Sequence, residues 1–313
     1  MKQFSAIAGG MLLASLLALP LSHAQPVPAP LPVTEVGSGV FAHIGDIALM
    51  NRDNDGAIAN LGFVIGRDAV AVIDTGGSVL EGSRLLAAIR SRTDKPIRYV
   101  INTHLHPDHV FGNAAFAAQS TTFVGHRNLP RGLATRGPFY IDAFQRIMGD
   151  EAMAGVKIIA PTQLVSEETR LDLGSRTLLL KAWPAAHTDT DLTVLDETSG
   201  ILFAGDLVFV RHVPVVDGSL RGFLAATDKL SHMPATNVIP GHGGVIEDWP
   251  AALGPQRRYL ERLRDDIRAL IARGASIDTA AQTAAQSEKT DWELFEDYNA
   301  RNATAAFAEL EWE

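Results

Sequence analysis

The chain has 313 residues, 46% of them hydrophobic, with a formal net charge of −9 and no cysteine. That length suffices for one large domain with a sizeable core. The absence of cysteine excludes disulfides, thiolate metal ligands and a cysteine nucleophile, and the negative charge argues against a nucleic-acid surface, which needs a basic patch.

Lys2 precedes an apolar run over residues 6–21, and Ser22-His23-Ala24 places small residues where a signal peptidase reads. We expect export to the periplasm with cleavage after Ala24, so that the mature chain begins at Gln25. The run is shorter than the ~20 residues a spanning helix needs, so no stable membrane anchor is expected. Residues 25–39 read as a Pro-rich extended leader and 40–313 as one domain. Segments 40–44, 61–65 and 69–73 read as strands, followed by a helix over 80–90 with Leu85, Leu86 and Ile89 on one face. Strands at 98–101 and 121–124 flank a short helix at 110–117, and 127–156 reads as a helical insert that covers the site. A second half offers strands at 163–166, 170–173, 177–183, 192–195 and 201–204, a helix over 219–231 and a last short strand at 238–239. An amphipathic helix over 255–273 and a helical tail over 291–313 follow, the tail's aromatic residues packing on the domain. Two strand-rich halves with helices outside predict an α/β fold, a four-layer αββα sandwich with its site at one edge of the facing sheets.

The chemistry concentrates in His104-Leu105-His106-Pro107-Asp108-His109, four metal-binding side chains in six residues. The preceding strand delivers this loop at its carboxyl end. Alternate extended positions point the same way, so His104 and His106 reach one ion, while Pro107 turns the chain so that Asp108 and His109 face a second. Two ions about 3.5–4 Å apart share a water of lowered pKa, a nucleophile that needs no serine or cysteine. Further candidate ligands lie at strand ends: His187, Asp206, and His242 between Gly241 and Gly243.

HxHxDH followed by a lone His, an Asp and a Gly-His-Gly resembles the metallo-β-lactamase-fold hydrolases over residues of about 40–243. The resemblance implies that His104, His106 and His187 bind a first zinc, Asp108, His109 and His242 a second, and Asp206 bridges both. It further implies that Asp74, in Asp74-Thr75-Gly76, supports a ligand from behind. Secreted class B lactamases of the commonest type place a cysteine where Asp206 stands. The aspartate makes the ligand set similar to glyoxalase II and related thioester, lactone and phosphodiester hydrolases. The stretch 209–222 resembles periplasmic zinc metallohydrolases associated with quinoprotein dehydrogenase and sulfur-oxidation gene clusters, which implies a functional link to a quinoprotein dehydrogenase.

The expected activity is therefore binuclear zinc hydrolysis of a small thioester, lactone or related acyl substrate, with Asp108 holding both the second zinc and the attacking water. A periplasmic β-lactamase, a mononuclear iron persulfide dioxygenase, and an accessory protein of a quinoprotein system are the alternatives. His212, in a loop bordering the metals, is read as a substrate contact or proton donor, with Arg211 or Arg221 as partners for an anionic substrate group. His126, His43 and His232 are read as structural or surface residues.

Overall fold

Residues 28–117 and 120–313 are described by a computed structural model. The expected export segment, 1–24, lies outside them. Among the described residues, β1 (Thr34–Gly37), β2 (Val40–His43), β3 (Leu61–Ile65), β4 (Val70–Ile73), β5 (Ile97–Ile101), β6 (Thr122–His126) and β7 (Gln163–Val165) lie side by side in chain order as one sheet. Pairing is antiparallel through β4 and parallel from β4 to β7. The second sheet contains β8 (Glu168–Asp172), β9 (Thr177–Ala182), β10 (Leu192–Asp196), β11 (Ile201–Phe209) and β12 (Asn237–His242), with only the β11–β12 pair parallel.

The two-residue side-chain period of each strand sorts its apolar residues between two faces. Leu61, Phe63, Val70 and Val72 face outward onto Leu85, Ala88 and Ile89 of α1 (Val79–Arg90). Val64, Ala71 and Ile73 face inward, where they meet Leu178, Leu180, Val194 and Phe203 of the opposite sheet. A one-residue slip would exchange those faces, and this fixes the register. On the far side, Leu202, Ala204 and Val238 pack beneath α4 (Leu220–Leu230), α5 (Leu253–Ala272) and α7 (Phe295–Leu310), through Phe223, Tyr259, Leu263 and Phe307 among others. These three clusters separate four layers, helix, sheet, sheet and helix. Each fully buried Phe or Leu contributes roughly 1.5–3 kcal/mol.

α1 begins where the Ser78 hydroxyl accepts the Glu81 backbone N–H at 3.1 Å, a cap worth about 1 kcal/mol. The remaining helices are the four-residue α2 (Pro107–Val110), α3 (Leu129–Ala152) and α6 (Ile277–Thr283), with 3-10 turns at Phe111–Phe116 and Gln286–Asp291. α3 is the expected insert, two helical pieces joined at Gly149 (φ 83°). Three features differ from the sequence reading. Thr34–Gly37 pairs with β2, so the end of the expected leader is an edge strand of the first sheet. β11 runs on through Asp206 to Phe209, and β12 is six residues long. No helix among the described residues is long and apolar enough to cross a membrane.

Candidate metal centre

Four strand ends and one position inside a strand deliver the expected side chains to one place. β4 ends at Asp74, whose φ of 55° turns the chain back over the sheet edge. β5 ends two residues before Thr103, and His104 and His106 follow, with α2 carrying Asp108 and His109. His187 follows β9, and His242 closes β12. Asp206 lies inside β11 where the pairing with β12 shifts register between Gly205 and Phe209, and this irregularity re-aims its carboxylate. On the neighbouring strand only glycine fits at Gly241, because a Cβ there would lie 1.8 Å from Asp206 Oδ1.

The donor atoms form two sets, His104, His106, His187 and Asp206, and then Asp108, His109 and His242, each set within 4.8 Å. His106 Nδ1 lies 3.1 Å from His104 Nε2 and 2.9 Å from His187 Nε2. Asp206 faces both sets, with Oδ2 3.3 Å from His187 Nε2 and Oδ1 3.2 Å from His109 Nε2. Asp108 Oδ2 is 3.3 Å from His242 Nε2 and 3.5 Å from His109 Nε2. A tetrahedral shell with bonds of about 2.0–2.1 Å separates its ligand atoms by about 3.3 Å, so the spacing suits a small divalent ion in each set.

The other ring nitrogen of every one of these histidines is occupied. His109 Nδ1 bonds Asp74 Oδ2 at 2.8 Å, His106 Nε2 bonds Asp217 Oδ2 at 3.0 Å, and His187 Nδ1 and His242 Nδ1 bond the carbonyls of Val215 and Ile58 at 2.7 and 3.1 Å. Thr103 Oγ1 donates to Asp74 at 2.7 Å and lies 3.1 Å from His104 Nδ1. Carbonyls and carboxylates only accept, so those nitrogens carry the protons and each ring turns a lone pair toward the cluster. His109 Nε2 and Asp206 Oδ1 are buried without a hydrogen-bond partner. Two opposed lone-pair atoms left unpaired at 3.2 Å are what a cation between them would satisfy.

Electrostatics point the same way. Burial depresses His187 to about 4, with Asp206 opposing it. Burial also acts to depress His242, but Asp206 and Asp108 reverse this and lift it to about 9. Burial raises Asp206, yet the surrounding imidazoles, His242 first, hold it well below the usual carboxylate range. Two buried carboxylates thus demand positive charge, which protons supply when metal does not.

His212 lies close by, its ring 5.0 Å from His242 and 5.2 Å from Tyr298. Its Nδ1 bonds the Val213 carbonyl at 2.6 Å, and burial together with His242 lowers it to about 4. The neutral ring therefore offers Nε2 as an acceptor, which fits a substrate contact, the first of the two roles expected for it, rather than a proton donor. Arg211 and Arg221 do not join the site. Arg211 pairs with Glu293 at 2.5 Å, and Arg221 with Glu309 and Glu313 at 3.0 and 3.4 Å. Neither lines the cavity of about 310 Å³ beside the cluster. That cavity is lined instead by Tyr140 and Phe144 of α3 and by Tyr298 and Arg301 of α7, none of which the sequence reading had named. The stretch 209–222 encloses the centre from behind through the Val215 carbonyl and Asp217. His126, His43 and His232 bond Asn128 N, Pro32 O and Asp228 O respectively and stand apart from the cluster.

The family model of the metallo-beta-lactamase superfamily matches residues 55–242, more than half of the chain. This chain belongs to that superfamily. A linear primary-alkylsulfatase of Pseudomonas sp. (strain ATCC 19151) is 40% identical over 58 residues, 18% of this chain and 11% of that protein. Beta-lactamase-like protein 2 homolog of Caenorhabditis elegans is 25% identical over 187 residues, 59% of this chain and 56% of the relative. The chain thus spans less than two thirds of either relative. Among solved structures, the inverting sec-alkylsulfatase Pisa1 from Pseudomonas sp. superposes with a TM-score of 0.70 at 15% identity, over 90% of this chain and 50% of that one. A metallo-beta-lactamase from Pontibacter korlensis gives 0.60 at 20% identity, over 74% and 99%. At these identities the likeness is one of fold. The superfamily match contains both donor sets but stops short of Leu49 and Met50 on one side and Tyr298 and Arg301 on the other, all four of which line the cavity.

Proposed function

We propose that the protein is an exported binuclear zinc hydrolase acting on a thioester, lactone or related acyl substrate. One observation carries this reading: five imidazoles, each with its proton fixed on the far nitrogen, turn lone pairs into two adjoining sets that share Asp206. His104, His106 and His187 would hold one ion, Asp108, His109 and His242 the other, with Asp206 between them. Ions held there would lower the pKa of a shared water toward neutrality and polarise the group under attack. Asp108, whose carboxylate lines the cavity, orients the attacking water, and the proton that leaves this water ends on the departing thiolate, alkoxide or amide nitrogen. His212 Nε2 accepts a hydrogen bond from the substrate side. Asp74 and Asp217 keep His109 and His106 in the tautomer that the centre needs. Helix α3 and the residues around Met50 limit the access of bulk water.

Export to the periplasm is supported by the Lys2 start, the apolar run and the Ser22-His23-Ala24 site. The link to a quinoprotein dehydrogenase rests on the 209–222 stretch. The test is native purification followed by metal analysis and a substrate panel of thioesters, lactones, β-lactams and phosphodiesters, with a primary alkyl sulfate added because one relative is an alkylsulfatase. Close to two zinc ions per chain and turnover of an acyl substrate are expected. A single iron with oxygen consumption would replace the reading by a persulfide dioxygenase, and metal without turnover across the panel by an accessory binding protein.

A further inference from the structure

The cavity beside the centre has two unlike walls. One is apolar and runs from Ile58, Met50 and Phe144 out to Leu49 and Ile147, which are 42% and 51% exposed. At about 310 Å³ the cavity sits at the small end of the ~300–1,000 Å³ range of ligand sites. A linear chain longer than the cavity would therefore continue along Leu49 and Ile147. The other wall is polar, and Arg301 is its cationic side chain. Asp217 is shared between Arg136, which spends both terminal nitrogens on it at 2.6 and 2.9 Å, and Arg301, which gives it one bond at 2.8 Å. One carboxylate thus balances two guanidinium groups. Among the described residues the remaining donors of Arg301 have no partner, and Arg301 lines the cavity. Tyr140, 8% exposed, also lines it, and its hydroxyl has no hydrogen-bond partner. Burial lifts that phenol to about 12, so it remains a donor at ordinary pH.

We propose, resting on the hydrolytic reading of this centre, that the cleft selects amphiphilic anions: an apolar chain lies against Met50, Phe144, Leu49 and Ile147 while an anionic group beside the reacting bond is held by Arg301 and Tyr140. A neutral, compact substrate would leave the buried Tyr140 hydroxyl unanswered and the exposed apolar wall in water, each at a cost, and would gain nothing from the charge of Arg301, whose side chain is 52% exposed. Arg301 belongs to α7 and Leu49 and Met50 to the segment before β3, so this selectivity draws in part on segments outside the superfamily match, while Tyr140, Phe144 and Ile147 of α3 lie inside it.

The test measures binding rather than turnover, which keeps it separable from the hydrolytic reading. Alkane-1-sulfonates of increasing length, inert to hydrolysis, and the matching 1-alkanols are titrated calorimetrically into the metal-loaded protein. Affinity for sulfonates should rise by up to about fourfold per methylene, the equivalent of about 0.8 kcal/mol, and Ile147→Ser should flatten that increment at the longer lengths. Arg301→Gln should weaken sulfonates about tenfold and leave alkanols unchanged, with metal content intact because Arg136 still holds Asp217 through two bonds. Tyr140→Phe should weaken sulfonates by a smaller factor of the same selectivity. A flat chain-length series, or equal losses for sulfonate and alkanol in Arg301→Gln, would overturn the proposal. Sulfonate binding as expected without hydrolysis of any panel member would refute the hydrolase and leave amphiphile selection standing, whereas hydrolysis with a flat binding series would do the reverse.

Discussion

Replacing Asp74 with asparagine isolates the part that orientation plays in the centre. Asp74 has a φ of 55°, which asparagine tolerates as well as aspartate, so the backbone should stay in place. Its Oδ1 accepts the Thr103 N–H at 2.8 Å and its Oδ2 accepts the Thr103 hydroxyl at 2.7 Å and His109 Nδ1–H at 2.8 Å. The substituted amide keeps the first bond through its carbonyl but presents an N–H₂ to two donors. His109 answers by moving its proton to Nε2, which points at Asp206 and removes the lone pair that a metal needs. Loss of such a supporting partner lowers metal affinity about 10- to 100-fold, or about 1.4–2.7 kcal/mol. Two charge-assisted bonds at about 1.5–3 kcal/mol each set an upper bound of roughly 3–6 kcal/mol on the folding cost. Competition titration against a chromophoric chelator measures the first quantity, and denaturant unfolding in excess chelator measures the second. The expected result is one weakened ion, with the His104–His106–His187 set retained more strongly. Wild-type affinity for both ions in Asp74→Asn would refute the tautomer argument.

Three further substitutions probe other links. His187→Ala should preferentially empty the first donor set and His242→Ala the second, each read by metal stoichiometry, and two ions retained in both variants would break the assignment. Asp206→Asn should cut turnover by several orders of magnitude while moving the chelator-treated melting temperature little, since the amide fits the same space; unchanged turnover with two ions bound would remove it as the shared ligand. Glu81 is driven up to about 8 by burial, against an unfolded value of 4.5. Stability from this group is complete below pH 4.5 and lost as pH rises toward 8, because the unfolded chain ionises first. Glu81→Gln should therefore flatten the fall in melting temperature between about pH 5 and 8, and parallel slopes in the two proteins would count against that assignment.

The donor residues were legible because metal chemistry demands particular side chains and short spacings, and because those other than Asp206 lie at or after the end of an apolar strand that gives way to a loop. The four layers were legible for a related reason: period-two patterning in strands such as Leu61–Ile65 states which residues face a helix and which face the other sheet. Partners set by long-range packing were not. Arg211 and Arg221 lie near Asp206 in sequence, yet their partners Glu293, Glu309 and Glu313 come from the end of the chain. Arg301 and Tyr298 were read as part of a packing tail because nothing local marks a helix that will return to the cavity. Asp217 stood inside a stretch already singled out, but its hold on His106, 111 residues away, exists only in three dimensions. The continuation of β11 through Asp206 was hidden because Gly205-Asp206 reads as a turn, while in the sheet it is an irregularity in a strand that goes on.

The centre takes its side chains from both sheets, from His104 at the end of one half to His242 at the end of the other, and the chain has no covalent cross-link to hold those halves together. An ion seated there fastens the open edge of the sandwich. At a free ion concentration about a thousand times its dissociation constant, the folded form gains about 4 kcal/mol. Scarcity of metal would then shorten the lifetime of the molecule as well as stop its chemistry, because the loosened edge exposes backbone around β5, β11 and β12 to proteases. The supply of that metal would then set how much of this protein persists.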